Sequence, residues 1–263
     1  MKKKWHIWLG ITISVVLLYF FLRKIDFVKV GAILTHVDFS LVILAAAMQM
    51  AAQLLRAERW RVLVHPVKDI KLGRMFAITM IGMMSNNLFP ARLGELIKAY
   101  LLGHQEGISK STSLATVVVE RLFDGLTIAV FMIAIILFFP FPRVDSSSSL
   151  NPRSLWTICL LSSFFYVGVL LLLLFIKKRQ DLLKRFFQVT IEKILPKKAE
   201  TFYNKLEDVI ASFSEGLHFL HNKGVLLKIT IQSIIMWLVI GLSFYLGFLA
   251  FGMKLSFFTA VLL

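Results

Sequence analysis

The architecture turns on MFAITMIGMMSNNLFPARLGELIKAYLLG, residues Met75 to Gly103. The stretch is apolar on both sides of Asn86-Asn87-Leu-Phe-Pro90, yet neither half is long enough to cross a bilayer. Helices over Met75–Phe89 and Ala91–Gly103 measure about 22 and 20 Å at 1.5 Å per residue, against ~30 Å of hydrocarbon. The flanks add a second constraint. Arg56-Ala-Glu-Arg-Trp-Arg61, Lys68, Lys71 and Arg74 precede the stretch, and the next long apolar run begins only at Leu114. Such positive density belongs to the cytoplasm. With the N-terminus inside, the chain must then enter and leave on the same side. A re-entrant helical hairpin broken at 86–90 satisfies both constraints. Non-helical backbone at membrane depth is tolerated only where protein or water covers it, so the break predicts a buried polar cavity.

The rest of the chain fits that frame. Hydrophobic residues make up 58% of the 263, mean hydropathy is +0.78 and phenylalanine occurs 24 times, a balance that suits lipid as the main solvent. The fold class expected is all-α: a polytopic integral membrane helix bundle. Spans are expected at about 5–22, 37–55, 114–139, 155–176 and 229–251, with the hairpin at 75–103. The first run is read as a retained helix because no small-x-small cleavage site follows Met1-Lys-Lys-Lys-Trp-His. Pro140-Phe-Pro-Arg-Val-Asp-Ser-Ser-Ser-Ser is turn-forming and nearly uncharged, so it is placed outside. The basic segment 181–222 is placed in the cytoplasm. In it Phe202, Leu206, Val209, Ile210, Phe213, Leu217 and Leu220 recur at helical spacing, as in an amphipathic helix on the inner membrane surface.

The net charge of +15 lies almost entirely in loops between apolar runs, which is the positive-inside pattern and not a nucleic-acid footprint. Cys159 has no intrachain partner, so there is no disulfide framework. His218 and His221 share a helix face, but no nearby cysteine or acidic ligand pattern completes a metal site. Gly241 and Gly247 offer close helix contact without forming a GxxxG pair. No Gly-rich phosphate loop, Ser/His/Asp order or Cys-x-x-Cys is present, so neither catalytic residues, a metal nor a cofactor is expected.

The charged residues at the break carry the candidate chemistry. Asn86 and Asn87 are expected to bond freed backbone groups, and Pro90 suits the first turn of a new helix. Arg92, Glu95 and Lys98 follow at three-residue steps on one ridge. A half-helix N-terminus inside the membrane, with Arg92 beside it, favours an anion such as a phosphate headgroup. Glu120 and Asp124 lie one helical turn apart, with Arg121 about 100° around the helix from Glu120. Charges within a span cost about 2.5–3.5 kcal/mol each or more, so they should face the bundle interior and find partners. Arg92 or Lys98 paired with Glu120 or Asp124 is the expected arrangement, either as a headgroup cavity or as a structural ion-pair network. Arg56 and Arg59, beside Trp60, are candidates for interfacial contacts to lipid phosphates or simple topology determinants.

Asn87-Leu-Phe-Pro-Ala-Arg92-Leu-Gly-Glu95, Lys98-Ala-Tyr-Leu-Leu-Gly103, Val118-Val-Glu120-Arg121-Leu-Phe-Asp124 and Leu55-Arg56-Ala-Glu-Arg59-Trp60 together resemble the lysylphosphatidylglycerol synthase transmembrane family. The resemblance covers nearly the whole chain. That family includes the flippase half of the multiple peptide resistance factor. It implies a bacterial inner-membrane protein with a cytoplasmic N-terminus that translocates or presents an anionic or aminoacylated phospholipid, such as lysyl-phosphatidylglycerol. In the full-length enzymes a cytosolic domain transfers lysine from lysyl-tRNA to phosphatidylglycerol, and no such domain is expected in these residues. The alternatives are the lipid-presenting part of a lysyltransferase, with the catalytic domain on a separate chain, and a partner in the assembly of polyprenyl-linked sugars. Ser256-Phe-Phe-Thr-Ala-Val-Leu-Leu263 reads as the opening of another span, which suggests that the sequence is a fragment.

Overall fold

The computed structural model describes residues 12, 15–16, 18–23, 25–89, 93–138, 157, 160–161, 164–168, 171, 211–212, 222–253 and 255–262. Seven helices are delimited: α1 (Phe27–Leu34), α2 (Phe39–Val64), α3 (Leu72–Leu88), α4 (Gly94–Glu106), α5 (Lys110–Phe138), α6 (Lys223–Ala250) and α7 (Phe257–Leu262). No strand occurs among the described residues, and the chain is an all-α, polytopic membrane helix bundle. α2 and α6 are the two helices long and apolar enough to cross a membrane by length and composition.

Side-chain caps set three of the helix starts. Asp26 accepts from the amides of Val28 and Lys29, Asp38 from those of Ser40 and Leu41, and Asn222 from those of Gly224 and Val225. Asn222 therefore starts α6 at Lys223, several residues before the apolar run at 229 announces it. α2 and α6 run antiparallel side by side. The Asp38 amide donates to the Ala250 carbonyl at 3.0 Å, and the Ser243 hydroxyl donates to the Ala45 carbonyl at 3.0 Å.

α2 does not end at 55 as expected but runs through the basic segment to Val64. Two causes are visible. Arg61 bonds Glu58 one turn away at 2.8 and 3.0 Å, and Ala57, Arg59, Trp60, Leu63 and Val64 are buried. The positive run is thus part of the bundle, not a loop beyond it. α5 likewise starts before 114, at Lys110. The expected segments 5–22 and 155–176 lie largely outside the described residues, as do 140–149, Cys159, His218, His221 and nearly all of 181–222. Within those spans residues 18–22 and 164–168 are helical. α1 was not anticipated by hydrophobic periodicity.

α3 and α4 form the helix–break–helix unit. At 1.5 Å per residue they measure about 25 and 20 Å, both short of ~30 Å. Their arms fold back on each other. A Cβ on Gly94 would stand 2.0 Å from the Gly82 carbonyl oxygen, so only glycine permits this approach. At the open end Arg74, at the start of α3, bonds Glu106, the last residue of α4, at 2.6 Å, and Lys68 reaches the same carboxylate at 3.0 Å. The chain therefore enters and leaves the hairpin at one place. The break is also displaced from its expected position. α3 continues through Asn86 and Asn87 to Leu88, and Phe89 is extended. Asn86 consequently caps no backbone; its side chain reaches Glu95 instead. α4 begins at Gly94, while Pro90 to Arg92 lie outside the described residues.

Candidate functional site

Three helices, α2, α4 and α5, bring charged residues to one locus about 15 Å along α5 from its start, and α6 adds Ser233. Arg59 of α2 is completely buried at its centre. Its guanidinium donates to Asp124 Oδ1 at 2.6 Å and to Ser233 Oγ of α6 at 2.7 Å, and it lies 3.7 Å from Glu120 Oε1. Lys98 of α4 meets Glu120 Oε2 at 2.5 Å, with its ammonium 4.0 Å over the Trp60 ring. Trp60 is held in that orientation by its indole N–H, which donates to Thr116 Oγ1 at 3.1 Å. Arg121 joins the carboxylates: it is 3.1 Å from Glu120, 3.2 Å from Asp124 and 3.5 Å from Glu95. Desolvated charges survive at such depth only through this density of partners.

Beside the network lies a cavity of about 90 Å³, lined by residues that include Arg56, Thr79, Gly82, Asn86, Glu95 and Arg121. At ~30 Å³ per molecule it would hold about three waters. Arg56 differs from the other cations of the locus. It donates to the Met83 thioether at 3.9 Å, its Nε has no hydrogen-bond partner, and among the described residues it forms no ion pair. Glu95 Oε2, Asn86 Oδ1 and Arg121 Nε are also buried without hydrogen-bond partners. A larger hollow of about 360 Å³ opens near the junction of α2 and α6, lined by Arg61, His65, Asp69 and Lys228 among others. None of its lining residues is buried, so water and salt weaken any electrostatic recognition there.

Asn86, Glu95, Lys98, Glu120, Arg121 and Asp124 thus converge, Asn87 lines the cavity with an exposed side chain, and Arg92 lies outside the described residues. Arg59, read from sequence as an interfacial phosphate contact, requires correction: with no exposed surface and three oxygens around it, it cannot meet lipid. Arg56 faces the cavity, not the outer interface. Ser233 and the Gly82–Gly94 crossing went unrecognised. A lone serine in an apolar helix and a mid-helix glycine were the only signals each offered. Among the described residues no group of histidines, cysteines or carboxylates could hold a metal ion.

Comparison with known proteins places the chain in a family. The lysylphosphatidylglycerol synthase TM region matches residues 7–263. A UPF0104 membrane protein of Pyrococcus horikoshii is 26% identical over 274 positions, covering 100% of this chain and 78% of that protein. Another UPF0104 membrane protein, from Methanothermobacter thermautotrophicus, is 25% identical over 228 positions, 82% of this chain and 64% of the relative. Glycosyltransferase AglD of Haloferax volcanii is 31% identical over 121 positions, 46% of this chain and 19% of that protein. The chain therefore spans less than two thirds of the length of the last two. No solved structure shows significant similarity. With the match running over almost its whole length, the chain belongs to the lysylphosphatidylglycerol synthase transmembrane-region family.

Proposed function

We propose that this chain is a lipid-handling membrane module of the flippase type, which admits the headgroup of a phospholipid to the cavity between the α3–α4 hairpin and helices α2 and α5 while the acyl chains stay in the bilayer. The observation that carries the reading is the unpaired Arg56 guanidinium on the wall of an otherwise charge-paired cavity. A half-buried cation without an ion-pair partner among the described residues is unfavourable, and a phosphate entering the cavity would supply one. The hairpin is re-entrant in this proposal, with its open end, the C-terminus of α2 and the N-terminus of α6 on the cytoplasmic side. The proposed location is a prokaryotic cell membrane, the relatives above being archaeal.

Scrambling of acyl-labelled phosphatidylglycerol and lysyl-phosphatidylglycerol in proteoliposomes tests the reading. Leaflet exchange by the parent that falls at least tenfold in Arg56→Gln, with folding retained, supports translocation. No exchange of either lipid by a well-folded parent removes it. A second reading, a membrane partner in the handling of lipid-linked sugars, is favoured by the likeness to the archaeal glycosyltransferase.

A further inference from the structure

α1 buries none of its residues in the bundle. Phe27, Val28, Val30, Ile33 and Leu34 all stand open, Val28 with 83% of its surface free. The sequence FVKVGAIL is apolar or glycine at every position but Lys29. A helix of eight residues is marginal in water even with its Asp26 cap, because nucleation costs more than so few hydrogen bonds return. It is also too short to span, at about 12 Å against ~30 Å of hydrocarbon.

Connectivity fixes where it lies. Upstream, residues 18–22 are helical, and Leu18, Tyr19, Phe20 and Phe21 are each more than half exposed, as in a lipid-facing segment. Downstream, α2 begins at Phe39. Residues 23–26 and 35–38 join α1 to these two helices, and four residues reach at most about 14 Å. The Asp38 end of the bundle is a membrane boundary on separate grounds. α2 starts there and α6 stops there, the Asp38 amide donating to the Ala250 carbonyl at 3.0 Å, and these are the two helices long and apolar enough to cross. Around the axis of α1, Ile33, Val30, Leu34, Phe27, Gly31 and Val28 form a continuous arc, and Lys29 stands about 160° from Phe27.

We infer that α1 is an in-plane membrane anchor, lying along the headgroup–acyl boundary of the leaflet at the Asp38 end of α2, with Phe27 and Leu34 turned into hydrocarbon and Lys29 raised to water. The lipid interface is the occupant that two short tethers, a bare apolar arc and a length below that of a span all permit. The anchor also sets a depth. Asp38 caps α2 at this boundary, and Arg56 follows about 27 Å further along the helix, near the opposite face of a ~30 Å core. The charged cavity then lies at the level of the other leaflet's headgroups, so α1 and the cavity address different leaflets.

Site-directed fluorescence on the full chain, reconstituted in bilayers in a Cys159→Ala background, tests the assignment. Single cysteines at the exposed positions Phe27, Lys29, Ala47 and Leu54 carry an environment-sensitive label. The quenchers are aqueous iodide and lipids with a nitroxide either near the headgroup or near the end of the acyl chain. Ala47, about 14 Å along α2 from Asp38, is the deep reference, and Leu54, about 24 Å along, reports the level of the cavity. The Phe27 label should lose more fluorescence to the shallow nitroxide than to the deep one, and the Ala47 label the reverse. The Lys29 label should lose more to iodide than the Phe27 label does, and the Leu54 label should return to the shallow profile. Should Phe27→Cys fail to give a monodisperse protein, Leu34→Cys probes the same arc. A Phe27 label open to iodide and untouched by either nitroxide puts α1 in water, and one touched by no quencher puts it against another protein surface. Either result, a profile matching Ala47, or equal iodide quenching at Phe27 and Lys29 overturns the anchor. A deep profile at Leu54 overturns the depth assigned to the cavity. None of these outcomes depends on lipid exchange, so the anchor stands or falls apart from translocation.

Discussion

Replacing Arg59 by methionine removes the donor that ties α2 to α5 and α6, and the cost follows from what is left behind. Asp124 Oδ1 loses a 2.6 Å partner, Ser233 loses a 2.7 Å donor, and Glu120 loses a cation at 3.7 Å. Breaking a buried pair from one side costs about 3–5 kcal/mol. Asp124 keeps Arg121 at 3.2 Å, and Glu120 keeps both Lys98 and Arg121, so the loss falls at the lower end of that range, about 3 kcal/mol. For a chain of 263 residues this lowers the thermal midpoint by about 6–12 °C, measured as loss of the monodisperse peak after heating. Adding Asp124→Asn removes the carboxylate left short of a partner. The double variant should therefore lose about 1–3 kcal/mol less than the two single losses added together. A single variant within about 2 °C of the parent, or strictly additive losses, would refute the claim that this buried pair holds the three helices together.

The hairpin crossing makes Gly94→Ala severe: its Cβ would sit 2.0 Å from backbone at Gly82, so well-folded yield should collapse, whereas Gly31→Ala, with nothing within 4 Å, should express like the parent. In a Cys159→Ala background, cysteines placed at the exposed residues Gly73 and Ser109 should react with an impermeant maleimide from the same side of sealed vesicles; labelling from opposite sides rules out a re-entrant hairpin. At the open end, the Arg74 hydrogen bond outweighs burial and, with Lys68, holds the Glu106 carboxyl below its ordinary range. A depressed folded pKa gives stability that is present above the unfolded value of about 4.3 and is lost as pH falls toward the folded one. The midpoint gap between the parent and Glu106→Gln should accordingly be constant above about pH 6 and shrink below about 4.3. A gap that holds constant through acid pH would show that Glu106 acts through packing alone.

The hairpin and its charged ridge were legible because they broke rules that a bilayer enforces. Two apolar halves too short to span, and carboxylates inside helices, each demand a special explanation. Arg56 and Arg59 were not separable by such rules. Both stand in a basic run at an apparent span end, and their fates diverge only because α2 continues to Val64. That continuation depends on Trp60 and Leu63 packing against residues distant in sequence. With the helix extended, the register places Arg59 toward Asp124 and Ser233 and Arg56 toward the hairpin. The shift of the break from 86 to Phe89 has a similar origin: Asn86 finds a partner in Glu95 across the hairpin, which no local signal reveals.

The polar contacts divide into those that link α2, α5 and α6 and those that link the hairpin to them. Arg59, Asp124 and Ser233 link α2, α5 and α6 without touching the hairpin. Gly82 and Gly94 hold the two arms of the hairpin against each other, so a displacement that keeps them packed moves α3 and α4 as a unit. Relative to α2 and α5, such a unit is held by the shared core, in which Met75, Ile78, Ala99 and Leu102 cluster with Trp60, Leu63, Val117 and Leu122, and by the polar contacts of Lys98 with Glu120 and Trp60, Glu95 with Arg121, and Arg56 with Met83. Of the two ion pairs, Arg121–Glu95 is the longer, at 3.5 Å, and is partly exposed. An anion entering beside Arg56 would compete with Glu95 for Arg121 and loosen that contact. The buried Lys98–Glu120 pair would then be the strongest remaining polar tie, because separating it strands a charge on each side. On the translocation proposed above, ligand occupancy and hairpin movement would be coupled through Arg121, with Arg59 outside the cycle.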